Sequence, residues 1–113
     1  MNGAKKYLFV IKIKPEHQED YIGLHKDPYP EMLRAIKDAG FTKEVLFFFE
    51  GQSIVYVECG GGMSYEECDR RLREQDICKK WDAAVGPWFE AQPVLCEKIF
   101  DLEQQLEGGL LRD

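Results

Sequence analysis

Positive charge is scarce in this sequence: across 113 residues, 15 Lys and Arg face 21 Asp and Glu, giving a net charge of −6. Nucleic acid is gripped through clustered Lys and Arg, and no such cluster occurs, so that partner class is excluded. An anionic membrane surface is disfavoured on the same ground. Long apolar runs are missing as well, since stretches such as Val45 to Phe49 fall far short of the ~20 residues that a bilayer helix needs. Met1 to Lys6 leads straight into an alternating segment, without the apolar core and small-residue cleavage site of a secretory signal, which points to a cytoplasmic protein. Cys59, Cys68, Cys78 and Cys96 lack any CxxC or zinc-ribbon spacing and read as dispersed thiols in a reducing compartment. There is no HExxH, and the two histidines, His17 and His25, stand eight residues apart, so neither a zinc site nor an organic cofactor is expected. The GGGMS segment lacks the Lys-Ser or Lys-Thr of a phosphate loop and reads as a plain connection.

What is present is apolar and periodic. Hydrophobic residues make up 44% of the chain, enough for one core, expected over residues 1–102 with 103–113 as a polar C-terminal tail. Tyr7, Phe9, Ile11 and Ile13 alternate with Leu8, Val10, Lys12 and Lys14, the period of a strand that Pro15 stops. A helix from about Glu16 sets His17, Tyr21 and His25 in one i, i+4 row, and Pro28 and Pro30 break it. Met32, Leu33, Ile36 and Ala39 repeat at helical spacing up to Gly40, a left-handed cap. Lys43 to Glu50 and Ser53 to Cys59 read as a hairpin. Ser64 with Glu67 opens a third helix, Asp76 is expected to cap a fourth carrying Trp81 and Trp88, and Val94 to Leu102 is expected as the last strand.

This order fits an α+β, ferredoxin-like βαββαβ unit with a four-stranded antiparallel sheet whose helices cover one face. In the hairpin, Val45, Phe47 and Phe49 point one way and Leu46 and Phe48 the other, so both sheet faces are apolar. A homodimer formed sheet to sheet would cover the second face.

Among candidate site residues, His25 is the most informative, because an imidazole can give and take a proton near neutral pH. It stands one turn after Tyr21, where DPYP ends the helix, as a proton carrier or as a helix-end surface residue. His17, amid acidic and polar neighbours, reads as solvated. Trp81 and Trp88 lie on an apolar stripe, as core residues or as flat surfaces for the C–H face of a sugar. Glu44 and Asp82 are carboxylates beside apolar residues, and DRRLRE reads as a solvated face.

At YIGLHKDPYPEML the chain resembles the L-rhamnose mutarotase family, in which Tyr and His are separated by three residues and a Pro-Glu pair follows; here these are Tyr21, His25, Pro30 and Glu31. The resemblance runs from Lys6 to Leu102, through LFFFE and then DICKKW, where an acidic residue precedes Trp81. It implies a dimeric α+β barrel, a small-molecule sugar as partner and epimerisation at the anomeric carbon. By position His25 resembles the family's proton donor, Tyr21 a sugar-binding residue and Trp81 a sugar-contacting aromatic. Glu44 stands where the family has a sugar-contacting Tyr, Asp82 where it has a second Trp, and Tyr29 where it often has Trp. These departures imply a more polar sugar than L-rhamnose. The chemistry needs a second proton carrier beside His25, and Tyr21, Glu44, Asp82 or a water could serve. Two other classes remain open: a cofactor-free α+β barrel oxygenase or cyclase, and a non-catalytic dimer that binds a small ligand.

Overall fold

The computed structural model describes residues 4–108. The first strand, β1 (Lys5–Lys12), passes through a short 3-10 turn into α1 (Gln18–Lys26) and α2 (Pro30–Ala39). The hairpin β2 (Phe41–Phe49) and β3 (Gln52–Cys59) follows, then α3 (Tyr65–Arg73), α4 (Asp76–Val85), the two-residue strand β4 (Val94–Leu95) and a terminal helix α5 (Leu102–Gly108). The strands form one antiparallel sheet in the order β2-β3-β1-β4, the α+β arrangement the sequence pattern implies.

Local chemistry sets the element ends. Pro30 enters α2 at its first turn, and Gly40 leaves it at φ 115°, its amide returning to the carbonyls of Ile36 and Lys37. A Cβ at Gly40 would run into the Met63 side chain. The hairpin turns on Glu50 and Gly51, both at positive φ, which suits the right-handed twist of the paired strands. Ser64 Oγ accepts from the Glu67 amide at 3.2 Å and opens α3. Asp76 does not cap α4. That position is Gln75, and Asp76 is the first helical residue with a fully exposed side chain.

Register decides what each face carries. Phe9 and Leu46 both pair with Val55, while Tyr7 and Glu44 both pair with Val57. Strand alternation therefore puts Tyr7, Phe9, Ile11, Glu44, Leu46 and Phe48 on one face with Ser53, Val55, Val57 and Cys59. This face meets the helices, and Ile11, Val55, Val57 and Cys59 pack there with Tyr21, Ala39 and Cys68. The opposite face holds Leu8, Val10, Ile54 and Tyr56 with Val45, Phe47 and Val94; the last three are 37%, 65% and 60% exposed.

The expected final strand is cut short. After Val94 and Leu95 pair with Val10 and Phe9, one more bond joins the Cys96 amide to Leu8 O at 2.8 Å, and the chain leaves the sheet. Asp101 gives the reason: its carboxylate accepts from Lys6 Nζ at 2.9 Å and from the Gln104 amide at 3.0 Å, which starts α5 inside the segment expected as strand. Of the segment expected as a polar tail, Glu103 to Gly108 is helical. Residues 109–113 of that tail, and residues 1–3, lie outside the described residues. Among the described residues no helix is long and apolar enough to cross a membrane.

Candidate active site

The site is built from α1 outward. Tyr21 is 4% exposed, and its hydroxyl donates to Ser53 Oγ on β3 at 2.8 Å, which fixes α1 against the sheet. One turn later His25 lies with its ring 4.2 Å from the Tyr21 ring and its Nδ1 2.8 Å from the Tyr21 carbonyl oxygen. A carbonyl oxygen can only accept, so Nδ1 carries the hydrogen and Nε2 is the nitrogen left to exchange a proton. Trp81, from α4, stands edge-on to His25 at 5.0 Å, and Tyr29, from the loop after α1, stands edge-on to Trp81 at 5.7 Å. Lys80 Nζ lies 4.5 Å above the Tyr29 ring. Four of the residues expected in a site, Tyr21, His25, Tyr29 and Trp81, are thus one cluster, half-buried except for Tyr21.

Burial sets the proton chemistry. Enclosure pushes the His25 imidazole below its ordinary 6.5, with the bond to the Tyr21 carbonyl opposing in part. The Tyr21 hydroxyl is pushed up, by burial first, with the Ser53 bond opposing and the nearby Glu44 charge adding to the rise. Glu44, on the helix-covered face of β2, lines a cleft of about 550 Å³ with Leu33, Ile36, Phe41 and Met63. The residue is exposed to solvent, and the protein surface beside it nudges its carboxyl up from the ordinary carboxylate value. Among the described residues it makes no hydrogen bond or ion pair.

Asp82 does not join the cluster. It turns toward α3, where it pairs with Arg73, whose Nε also lies 3.3 Å from Asp69. Arg73 itself borders a second cleft, of about 630 Å³, floored by Tyr7, Phe9 and Tyr65, so DRRLRE is not wholly a solvated face. Trp88 packs against the core, and its ring stacks on His17 at 5.7 Å, so His17 is half-covered and not simply solvated. Ser53 went unread in the sequence. The signal was its place at an inward position of the alternating SIVYVEC segment. Among the described residues no three His, Cys, Asp or Glu side chains are grouped to hold a metal.

A family model described as L-rhamnose mutarotase matches residues 6–104. A protein from Lactiplantibacillus plantarum named L-rhamnose mutarotase is 34% identical over 97 residues, covering 84% of this chain and 89% of its own. Among solved structures, an L-rhamnose mutarotase from Formosa agariphila superimposes with a TM-score of 0.71 at 18% identity, covering 88% of this chain and 99% of that one. The fold is shared more distantly with tetracenomycin F2 cyclase from Streptomyces glaucescens, at a TM-score of 0.50 and 17% identity over 89% of each chain.

Proposed function

The chain belongs to the L-rhamnose mutarotase family, and from that premise we propose that it interconverts the α and β anomers of L-rhamnose or a related aldose, with His25 carrying a proton. The observation that supports this is the oriented imidazole: Nδ1 is held by the Tyr21 carbonyl and the ring is walled by Tyr21 and Trp81. In opening, the protonated His25 Nε2 gives its proton to the ring oxygen as the bond from that oxygen to C1 breaks, and the anomeric hydroxyl gives its own to a solvent water as its oxygen becomes the aldehyde carbonyl. The C1 group turns, and closure on its other face returns both protons. Trp81 and Tyr29 supply flat apolar walls for the sugar, and Tyr21, bonded to Ser53 in the core, holds α1 and its His25 in place beside them. Asp82, tied to Arg73, serves in this reading to hold α3 against α4. The likeness to the cyclase concerns the fold alone and does not favour an oxygenase or cyclase reading.

Replacing His25 by Ala should slow anomeric exchange, followed by NMR, by about 10²-fold or more while the fold persists, whereas His17→Ala should leave the rate unchanged. Equal behaviour of the two variants would remove His25 from the mechanism.

The molecule is further proposed to be a cytoplasmic homodimer joined through the sheet face opposite α1 to α4. Phe47, Val45 and Val94 on that face, with the half-covered Leu8, Val10, Ile54 and Tyr56 around them, support the dimer. Four unpaired cysteines, three of them buried, suit a reducing compartment.

A further inference from the structure

Tyr29 leads into α2, and its main chain is fixed there, since its carbonyl oxygen accepts from the amides of Met32 and Leu33 at 3.0 and 3.4 Å. Its ring is held differently. The Tyr29 hydroxyl makes no hydrogen bond among the described residues, and the ring contacts come from one turn of α4: Trp81 stands edge-on at 5.7 Å, and Lys80 Nζ lies 4.5 Å from the ring centroid. The adjacent Lys79 pairs with Asp76 at 3.8 Å, whereas Lys80 forms no ion pair among the described residues, so its ammonium is committed to the ring. From this arrangement we propose that Lys80 is a positioning residue for sugar binding, holding the Tyr29 ring as a wall beside Trp81; the inference rests on the mutarotase reading above.

Two physical arguments support it. The face of an aromatic ring carries the negative part of its quadrupole, so an ammonium above it is attracted and the ring loses freedom to swing away. Tyr29 stands between Pro28 and Pro30, which stiffen the main chain and leave side-chain rotation as the freedom that remains. Consecutive helical side chains diverge by about 100°, so Lys80 and Trp81 meet the ring from two directions, while Trp81 also stands 5.0 Å from His25. A wall held in advance spares the ligand the ordering of that wall on binding.

The role belongs to binding and not to proton transfer. A wall contacts the bound sugar before, during and after ring opening, so it favours the ground state and the transition state alike; its loss raises KM and leaves kcat in place. Lys80 also acts through Tyr29. If the ammonium met the sugar directly, removing it would matter equally with and without the tyrosine, and a double-mutant cycle separates the two cases.

The experiment is NMR exchange between the anomers of L-rhamnose, with the full chain, over a range of sugar concentrations that yields kcat and KM. Lys80→Met keeps the length of the side chain and removes its charge; it should raise KM about threefold, the scale of one exposed cation–π contact, with kcat unchanged. Lys80→Arg should keep the parental KM, because a guanidinium also stacks on an aromatic face, and Lys79→Met should change neither constant. Tyr29→Leu should raise KM, and adding Lys80→Met to it should raise KM no further. In the unsubstituted protein the Lys80 Hε resonances should lie upfield through the ring current of Tyr29 and return to the ordinary lysine position in Tyr29→Leu. A Lys80→Met variant with the parental KM, an equal loss in the Tyr29→Leu background, a Lys80→Arg variant as impaired as Lys80→Met, or undisplaced Hε resonances would overturn the role of Lys80 while leaving the mutarotase reading in place. A parent protein that does not accelerate exchange would overturn that reading, and this inference with it.

Discussion

Trp81 and Asp82 are adjacent in sequence, yet only Trp81 reaches His25. Successive helical side chains diverge by about 100°, so a helix that aims Trp81 at α1 sends Asp82 toward α3 and Arg73. This is why the cluster of Tyr21, His25 and Trp81 was legible from spacing and resemblance, while the direction of Asp82 was not: sequence order names neighbours but not the helix that receives each one. Ser53 is the other case. A lone hydroxyl on an inward strand position signals a buried partner without naming it, and the partner is Tyr21, 32 residues away. Tyr21→Phe leaves the ring and the carbonyl that holds His25 but strands the buried Ser53 hydroxyl. The expected loss is about 1–3 kcal/mol of stability, measured by urea unfolding, with a smaller loss of exchange rate than His25→Ala causes. A rate loss equal to that of His25→Ala would show that the Tyr21 hydroxyl itself touches the reacting atoms.

At the scale of elements, β1, α2, the hairpin and α3 followed their local signals closely, because each carries its own stop or start: Pro15, Gly40, the Glu50–Gly51 turn and Ser64. The last strand misled because its end is set by a partner 95 residues away, the Lys6 ammonium on Asp101. That bond, helped by the Gln104 amide, holds the Asp101 carboxyl below its ordinary range. A carboxyl depressed in the folded state contributes stability above its unfolded value of about 3.9, and that contribution is lost as pH falls through the folded value. Amide exchange in α5 should therefore accelerate below about pH 4 ahead of the sheet, and Asp101→Asn should produce the same early opening at neutral pH. If α5 and the sheet open together under both conditions, the anchor does not govern the helix.

For the whole molecule, the sheet divides two tasks. Its helix-covered side carries the cleft, and its other side presents Phe47, 65% exposed, on the edge strand β2 beside Val45. A charge placed there would be buried without a partner in a sheet-to-sheet dimer. Phe47→Glu should therefore yield a folded monomer in light scattering at micromolar concentration, where the proposal expects the parent chain to be a dimer; a dimeric variant would place the contact elsewhere. The polarity of His25, in contrast, is set by the main chain. Its Nδ1 is held by a peptide carbonyl of α1, which survives any exchange of side chain at Tyr21 that keeps the helix. The walls around it come from side chains on separate elements, free to drift one at a time. Over generations such a molecule can change what it accepts without relearning how to move a proton.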